Sequence, residues 1–200
     1  MMDFVLLGIA LVAVPVVGAV VFYNRLVGLR QLVRNAWADV DVYLKRRSDL
    51  VPQIANAVKA YAAHEQALLT AVSESRSQAM ASGNDLGRRA EAEGALGHGL
   101  ARIMALKEAY PDLKASENFL GLQNDLRDTE KLIANARQYY NACVRDLNTT
   151  IEAFPSNVIA GLAGVKHQTF FELETLEERE SPDLGRPLAV EEDLDVRENA

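Results

Sequence analysis

The sequence is poor in the residues that build reactive centres. One cysteine, Cys143, stands in 200 residues, so no internal disulfide forms and no redox compartment is readable from it. The three histidines, His64, His98 and His167, include no pair at i, i+4 and sit beside no second ligand, which argues against a metal site. Neither a GxxxxGK phosphate loop nor a GxSxG nucleophile elbow occurs. No basic stripe is present, and this argues against nucleic-acid binding. Proline is scarce, at six residues, while Ala, Leu, Glu and Arg are abundant. These side chains lose little rotamer freedom on a helix, so the balance favours an all-α fold.

One long uncharged run exists. From Phe4 to Phe22 there are nineteen residues without a charge, interrupted only by Pro15 and by Gly8 and Gly18. A bilayer core of ~30 Å needs about 20 helical residues, so residues 4–22 are expected to form one transmembrane helix. Tyr23 suits the headgroup level, and Arg25 follows it. A secretory signal would want a basic start and a shorter apolar run, whereas the chain begins Met1-Met2-Asp3. Asp3 precedes the span and Arg25, Arg30 and Arg34 follow it, so the positive-inside rule places the N-terminus outside and the rest in the cytoplasm.

Residues 23–171 read as a helical bundle. Leu26, Leu29, Val33, Ala36, Val40 and Leu44, with Trp37 beside them, recur at three- and four-residue steps with no breaker after the span. The span is therefore expected to run straight into the first bundle helix, ending near Lys45-Arg46-Arg47. Ser48 or Asp49 would cap a second helix, with Pro52 in its first turn and a stripe of Ile54, Val58, Tyr61, Leu68, Val72 and Ala79. Ser82-Gly83-Asn84-Asp85 reads as a turn. A third helix passes through Ala90, Leu100, Ile103, Met104 and Leu106, weakened by Gly94, Gly97 and Gly99. It closes at Tyr110-Pro111-Asp112, and Ser116 caps the fourth. There Phe119, Leu122, Leu126, Thr129, Ile133, Ala136, Tyr140, Cys143 and Leu147 form a heptad-like seam, which Ile151 and Phe154 continue. The expected fold is an N-terminal transmembrane helix continuous with an antiparallel bundle of about four long helices.

Phe154-Pro155-Ser156-Asn157 breaks the last long helix. Val158 to Val165 is an eight-residue run of apolar residues and glycine, too short to cross a membrane. It reads either as a helix end folded over the bundle or as an apolar element that meets a partner or the membrane surface, with Phe170 and Phe171 extending it. From Glu172 onward eleven acidic residues outnumber three basic ones, −8 of the chain's −7 net charge, which leaves +1 for the rest. Residues 172–200 are expected to be an acidic, disordered tail.

Four stretches, in order, resemble the LemA family of bacterial membrane proteins: LKRRSDLVPQIANAVKAY from Leu44, EAYPDLKASEN from Glu108, ARQYYNACVRDLN from Ala136 and FPSNVIAG from Phe154. YNRLVGLR directly after the span strengthens the likeness, which runs from about Phe4 to Phe171 and excludes the tail. The resemblance implies an anchored all-helical bundle in the bacterial inner membrane and no particular reaction. Genes of the family often neighbour those of other membrane proteins, a membrane metalloprotease among them, and this hints at the kind of partner to expect.

The remaining polar features have ordinary explanations. Cys143 falls on the seam, as a small buried residue does. Asp39 and Asp41 lie two positions apart and point in different directions, so Asp41 is expected to pair with Lys45 at i, i+4 instead of forming an acid–base dyad. Lys45-Arg46-Arg47 would stand ~35 Å beyond Phe22, past the reach of lipid charge, which decays over a Debye length of about 8–10 Å. Asn148-Thr149-Thr150 matches a glycosylation triplet by chance inside a helix. The sequence therefore leads to a membrane-anchored interaction or scaffold protein with no catalytic, metal or cofactor residues. The expected partners are the membrane and other membrane proteins or further copies of the chain, not nucleic acid or a small-molecule substrate. The alternative is an adaptor or regulator of a membrane enzyme complex such as a metalloprotease.

Overall fold

The computed structural model describes residues 1–83 and 85–172. Asn84 of the expected turn and the expected tail from residue 173 onward lie outside the described residues. Among the described residues the chain is α-helical without strands: α1 (Met2–Lys59), α2 (Gln66–Ala81), α3 (Leu86–Ala105), α4 (Pro111–Ala115), α5 (Glu117–Glu152) and α6 (Ser156–Leu162).

α1 is one helix of 58 residues, roughly 85 Å long. Its first part exposes large apolar side chains such as Phe4, Leu11, Val14 and Val17, and α1 is long and apolar enough to cross a membrane. Leu26 is fully buried, and the stripe then runs through Val33, Ala36, Val40 and Leu44 as the spacing predicts.

The expected break at Ser48 does not occur, and α1 continues through Pro52 to Lys59. Pro52 has no N–H to donate to the Ser48 carbonyl four residues back, which would leave a buried acceptor unmet. Arg76 on α2 fills that place, donating from Nε to Ser48 O at 2.8 Å. The reversal comes instead at Ala60–Glu65, where neither Gly nor Pro marks it. Ala62 is fully buried there, and its N–H donates to Val58 O at 2.8 Å. Tyr61, expected on the stripe, is exposed beside this turn.

α2 runs back along α1, and α3 returns beside α2. Gly83 adopts φ +54°, and the Asp85 carboxylate caps α3 by accepting from Arg88 N at 3.1 Å. Gly99 lets the two helices approach, since a Cβ there would stand 2.5 Å from Val72 Cγ2. Ser116 caps α5, its Oγ accepting from Phe119 N at 3.4 Å. α5 then descends antiparallel to α1, with Arg47 facing Glu130 and Trp37 facing Tyr140.

The result is an up-down-up-down bundle with two cores. The half farther from the apolar end packs Val51, Ile54 and Val58 against α2, α3 and the start of α5. The nearer half packs Leu26, Val33, Val40 and Leu44 against Ile133, Tyr140, Val144 and Leu147. The α5 seam is buried from Phe119 to Leu147, apart from the half-buried Ala136, but it does not reach Phe154. α5 ends at Glu152, so Phe154 leaves the helical register and points to solvent.

Candidate interaction surfaces

Charged side chains meet in the interior where α1, α3 and α5 come together. Arg47 is 2 % exposed. Its Nη2 donates to Glu93 Oε2 at 2.5 Å and to the Glu93 carbonyl at 3.0 Å, and its Nη1 donates to Glu130 Oε1 at 3.0 Å. Burial works against the guanidinium charge, but the Coulombic pull of Glu130 and Glu93, with their hydrogen bonds, outweighs it and holds the Arg47 pKa above its ordinary value. Beside it Arg89 donates from Nη2 to Asp41, and its guanidinium carbon lies 5.5 Å from the centre of the Trp37 ring. Arg47 Nε, Ser48 Oγ and Arg89 Nε are buried with no hydrogen-bond partner among the described residues.

This junction differs from the sequence expectation in two ways. Asp41 pairs with Arg89 on another helix, not with Lys45, which lies 4.0 Å from Asp49 instead. Arg47, expected at an exposed helix end, is a core residue. The signal was present: Val40, Leu44, Arg47, Val51, Ile54 and Val58 keep one unbroken alternation of four and three, and Glu93 stands three residues before Leu96 on the α3 stripe. Chemically the junction joins helices. An arginine does not exchange protons near neutrality, and Glu93 and Glu130 are both bound to it.

A second feature is a strap over α5. The Asn148 amide donates to Gln168 O and accepts from Gln168 N, both at 2.9 Å. One heptad earlier, Asn141 donates to Phe171 O at 3.1 Å and accepts from Phe171 N at 2.9 Å. Tyr140 OH donates to Thr169 O at 2.9 Å. Two carboxamides thus hold non-helical backbone as a neighbouring strand would, each satisfying one N–H and one C=O. Phe171 is fully buried, with its ring centre 5.1 Å from that of Trp37. It is therefore an anchor inside the fold and not part of an exposed patch, while Phe170 stays exposed.

The other sequence candidates are dispersed. His64 is exposed, His98 is half-buried on α3, and His167 Nδ1 lies 3.7 Å from Glu152 Oε1. Cys143 is buried on the α1–α5 seam, and burial pushes its thiol pKa up. Asp39 is exposed, away from the junction. Among the described residues no three His, Cys, Asp or Glu side chains gather closely enough to hold a metal ion.

α6 divides its surface. Ser156 and Ala160 are buried, and Ser156 Oγ donates to Thr150 O at 2.6 Å, folding α6 back onto the bundle. Val158 and Leu162 face outward with Phe154.

Comparison with known proteins bears on these features. The model of the LemA family matches residues 36–185. Two proteins of Paramagnetospirillum magneticum, magnetosome protein MamQ 1 and magnetosome protein MamQ 2, are each 24 % identical to the chain over 195 residues, covering 82 % of this chain and 72 % of their own. Magnetosome protein MamQ of Magnetospirillum gryphiswaldense is 23 % identical over 174 residues, 74 % of this chain and 64 % of its own.

Proposed function

Because the chain belongs to the LemA family and carries an apolar helix long enough to cross a membrane, we propose that it is a membrane-anchored interaction module, a scaffold that works by presenting surface instead of by catalysis. The observation that carries this reading is the continuity of α1 from Met2 to Lys59. One hydrogen-bonded rod supplies both the apolar segment and the spine of the bundle, so the bundle stands at a fixed height and rotation relative to the bilayer. The polar interior supports the same reading, because Arg47, Glu93 and Glu130 are engaged in joining helices.

In this reading the span lies in the bacterial inner membrane with the bundle on the cytoplasmic side, as Arg25, Arg30 and Arg34 after the span and Asp3 before it favour. A reporter fused after Ala200 tests the orientation, and activity of a periplasm-only reporter would overturn it. Affinity purification from native membranes in mild detergent tests the module itself. The expected result is recovery with other membrane proteins, or with further copies of the chain, at fixed stoichiometry. A solitary monomer carrying a stoichiometric metal ion would sink it. The narrower reading, an adaptor for a membrane enzyme such as a metalloprotease, rests on the family likeness and is reached only if that enzyme is the stoichiometric partner.

A further inference from the structure

The outward face of α6 is apolar where a soluble surface would be polar. Phe154, Val158 and Leu162 recur at four-residue steps and are 84 %, 54 % and 83 % exposed. From Ala153 to Val165 there is no charged residue. Val42 and Met80 are also exposed higher on the bundle, and single exposed apolar residues of that kind are ordinary for a protein surface.

The height of this face follows from the α1–α5 register. With Arg47 opposite Glu130 and Trp37 opposite Tyr140, the last residue of α5, Glu152, is level with Arg25. α5 therefore stops where the apolar segment of α1 begins. α6 follows and packs on α1, its Ala160 buried in the same cluster as Leu26. The strap then leads away from that end, since Gln168 meets Asn148 and Phe171 meets Asn141. Among the described residues, α6 and its flanking turns are what packs beside α1 at the level where the span leaves the bilayer.

We propose that α6 with Phe154 is an interfacial wedge, whose Phe154, Val158 and Leu162 side chains sit in the headgroup–acyl boundary of the leaflet through which α1 emerges. The occupant of this face is lipid. The face is fixed by a covalent helix at bilayer level, so lipid is already against it and any protein would first have to displace lipid. The chemistry matches: the face is uncharged and apolar, and the exposed cations Arg25, level with the end of α5, and Lys166, just after α6, suit phosphate headgroups alongside the exposed carboxylate of Glu152. The inference rests on the anchored reading of α1, and its test separates the two.

The experiment uses the full-length chain with Cys143→Ala as background and single cysteines from Leu162→Cys, Phe154→Cys, Val17→Cys or Val42→Cys. Each carries an environment-sensitive fluorophore and is reconstituted into phosphatidylcholine–phosphatidylglycerol vesicles containing nitroxide lipids. Val17 reports the span, and Val42, exposed midway up the bundle, reports water. The wedge predicts that probes at 162 and 154 emit to the blue of the probe at 42 and are quenched by headgroup and shallow-chain nitroxides at least roughly twofold more strongly, as for a segment buried about 5–10 Å. If the probe at 17 is quenched while those at 162 and 154 match 42, the wedge is wrong and the anchor stands. If the probe at 17 is not quenched, both readings fall. A blue shift that grows with protein-to-lipid ratio without lipid quenching would overturn the wedge in favour of an interface between copies.

Discussion

Arg47 holds three helices at one point, and its energetics are lopsided. Removing one partner of a buried ion pair strands the other charge, which costs about 3–5 kcal/mol, whereas replacing the charge with an apolar side chain of similar volume is often neutral or stabilising. Glu93→Ala leaves the buried Arg47 paired to the half-exposed Glu130, so the expected loss of stability of the detergent-solubilised bundle is that of a charged hydrogen bond, about 1.5–3 kcal/mol in chemical denaturation. Adding Arg47→Met should recover most of that loss, and a double variant no better than Glu93→Ala would contradict the account. Gly99 is a second sensitive position. Gly99→Ala places a methyl 2.5 Å from Val72 Cγ2 and should cost about 1–3 kcal/mol despite the better helix propensity of alanine. Val72→Ala in the same chain should restore part of it, measured as a shift in melting temperature.

At the scale of elements, periodicity was a good guide wherever one face of a helix meets one neighbour. The stripe from Leu26 to Leu44 and the seam from Phe119 to Leu147 lie where their spacing puts them, because an antiparallel helix pair imposes that spacing. Helix ends were harder to read. Ser48, Asp49 and Pro52 carry every local mark of a helix start, yet tertiary bonds override them: Arg47 is drawn into the core, and Arg76 meets the carbonyl that Pro52 frees. The turn at Ala60–Glu65 has no such mark, because the packing of Ala62 sets it. The strap was invisible for a related reason. Asn141 and Asn148 look like polar residues beside a seam until the backbone of Gln168 and Phe171 is known to pass them. Asn148→Ala removes two of the strap's hydrogen bonds and should speed amide exchange at Gln168 by at least tenfold for a local loss of ~1.4 kcal/mol, with exchange in the centre of α5 unchanged. Exchange at Gln168 equal to the parent's would show that Phe171 alone retains the segment.

At the scale of the whole molecule, pH acts through groups that the fold keeps neutral. Burial raises the Tyr140 and Cys143 pKa values in the folded chain. The folded state thus keeps protons that the unfolded state releases, and the associated stability is present below the unfolded pKa values and lost as pH rises through and beyond them. Thermal stability should fall from about pH 8.5, the ordinary thiol value, and more steeply near 10, the ordinary phenol value. Cys143→Ala should remove the earlier part of the decline in a melting series from pH 7 to 10.5.

The length of α1 has a mechanical consequence. The 37 residues from Tyr23 to Lys59 stand clear of the hydrophobic run, a lever arm of about 55 Å with no hinge at its base. Spanning helices tilt to match bilayer thickness. Each degree of tilt would sweep the tip of this arm sideways by roughly 1 Å, so a change in the bilayer too small to expose a residue becomes a displacement that a neighbouring protein can feel.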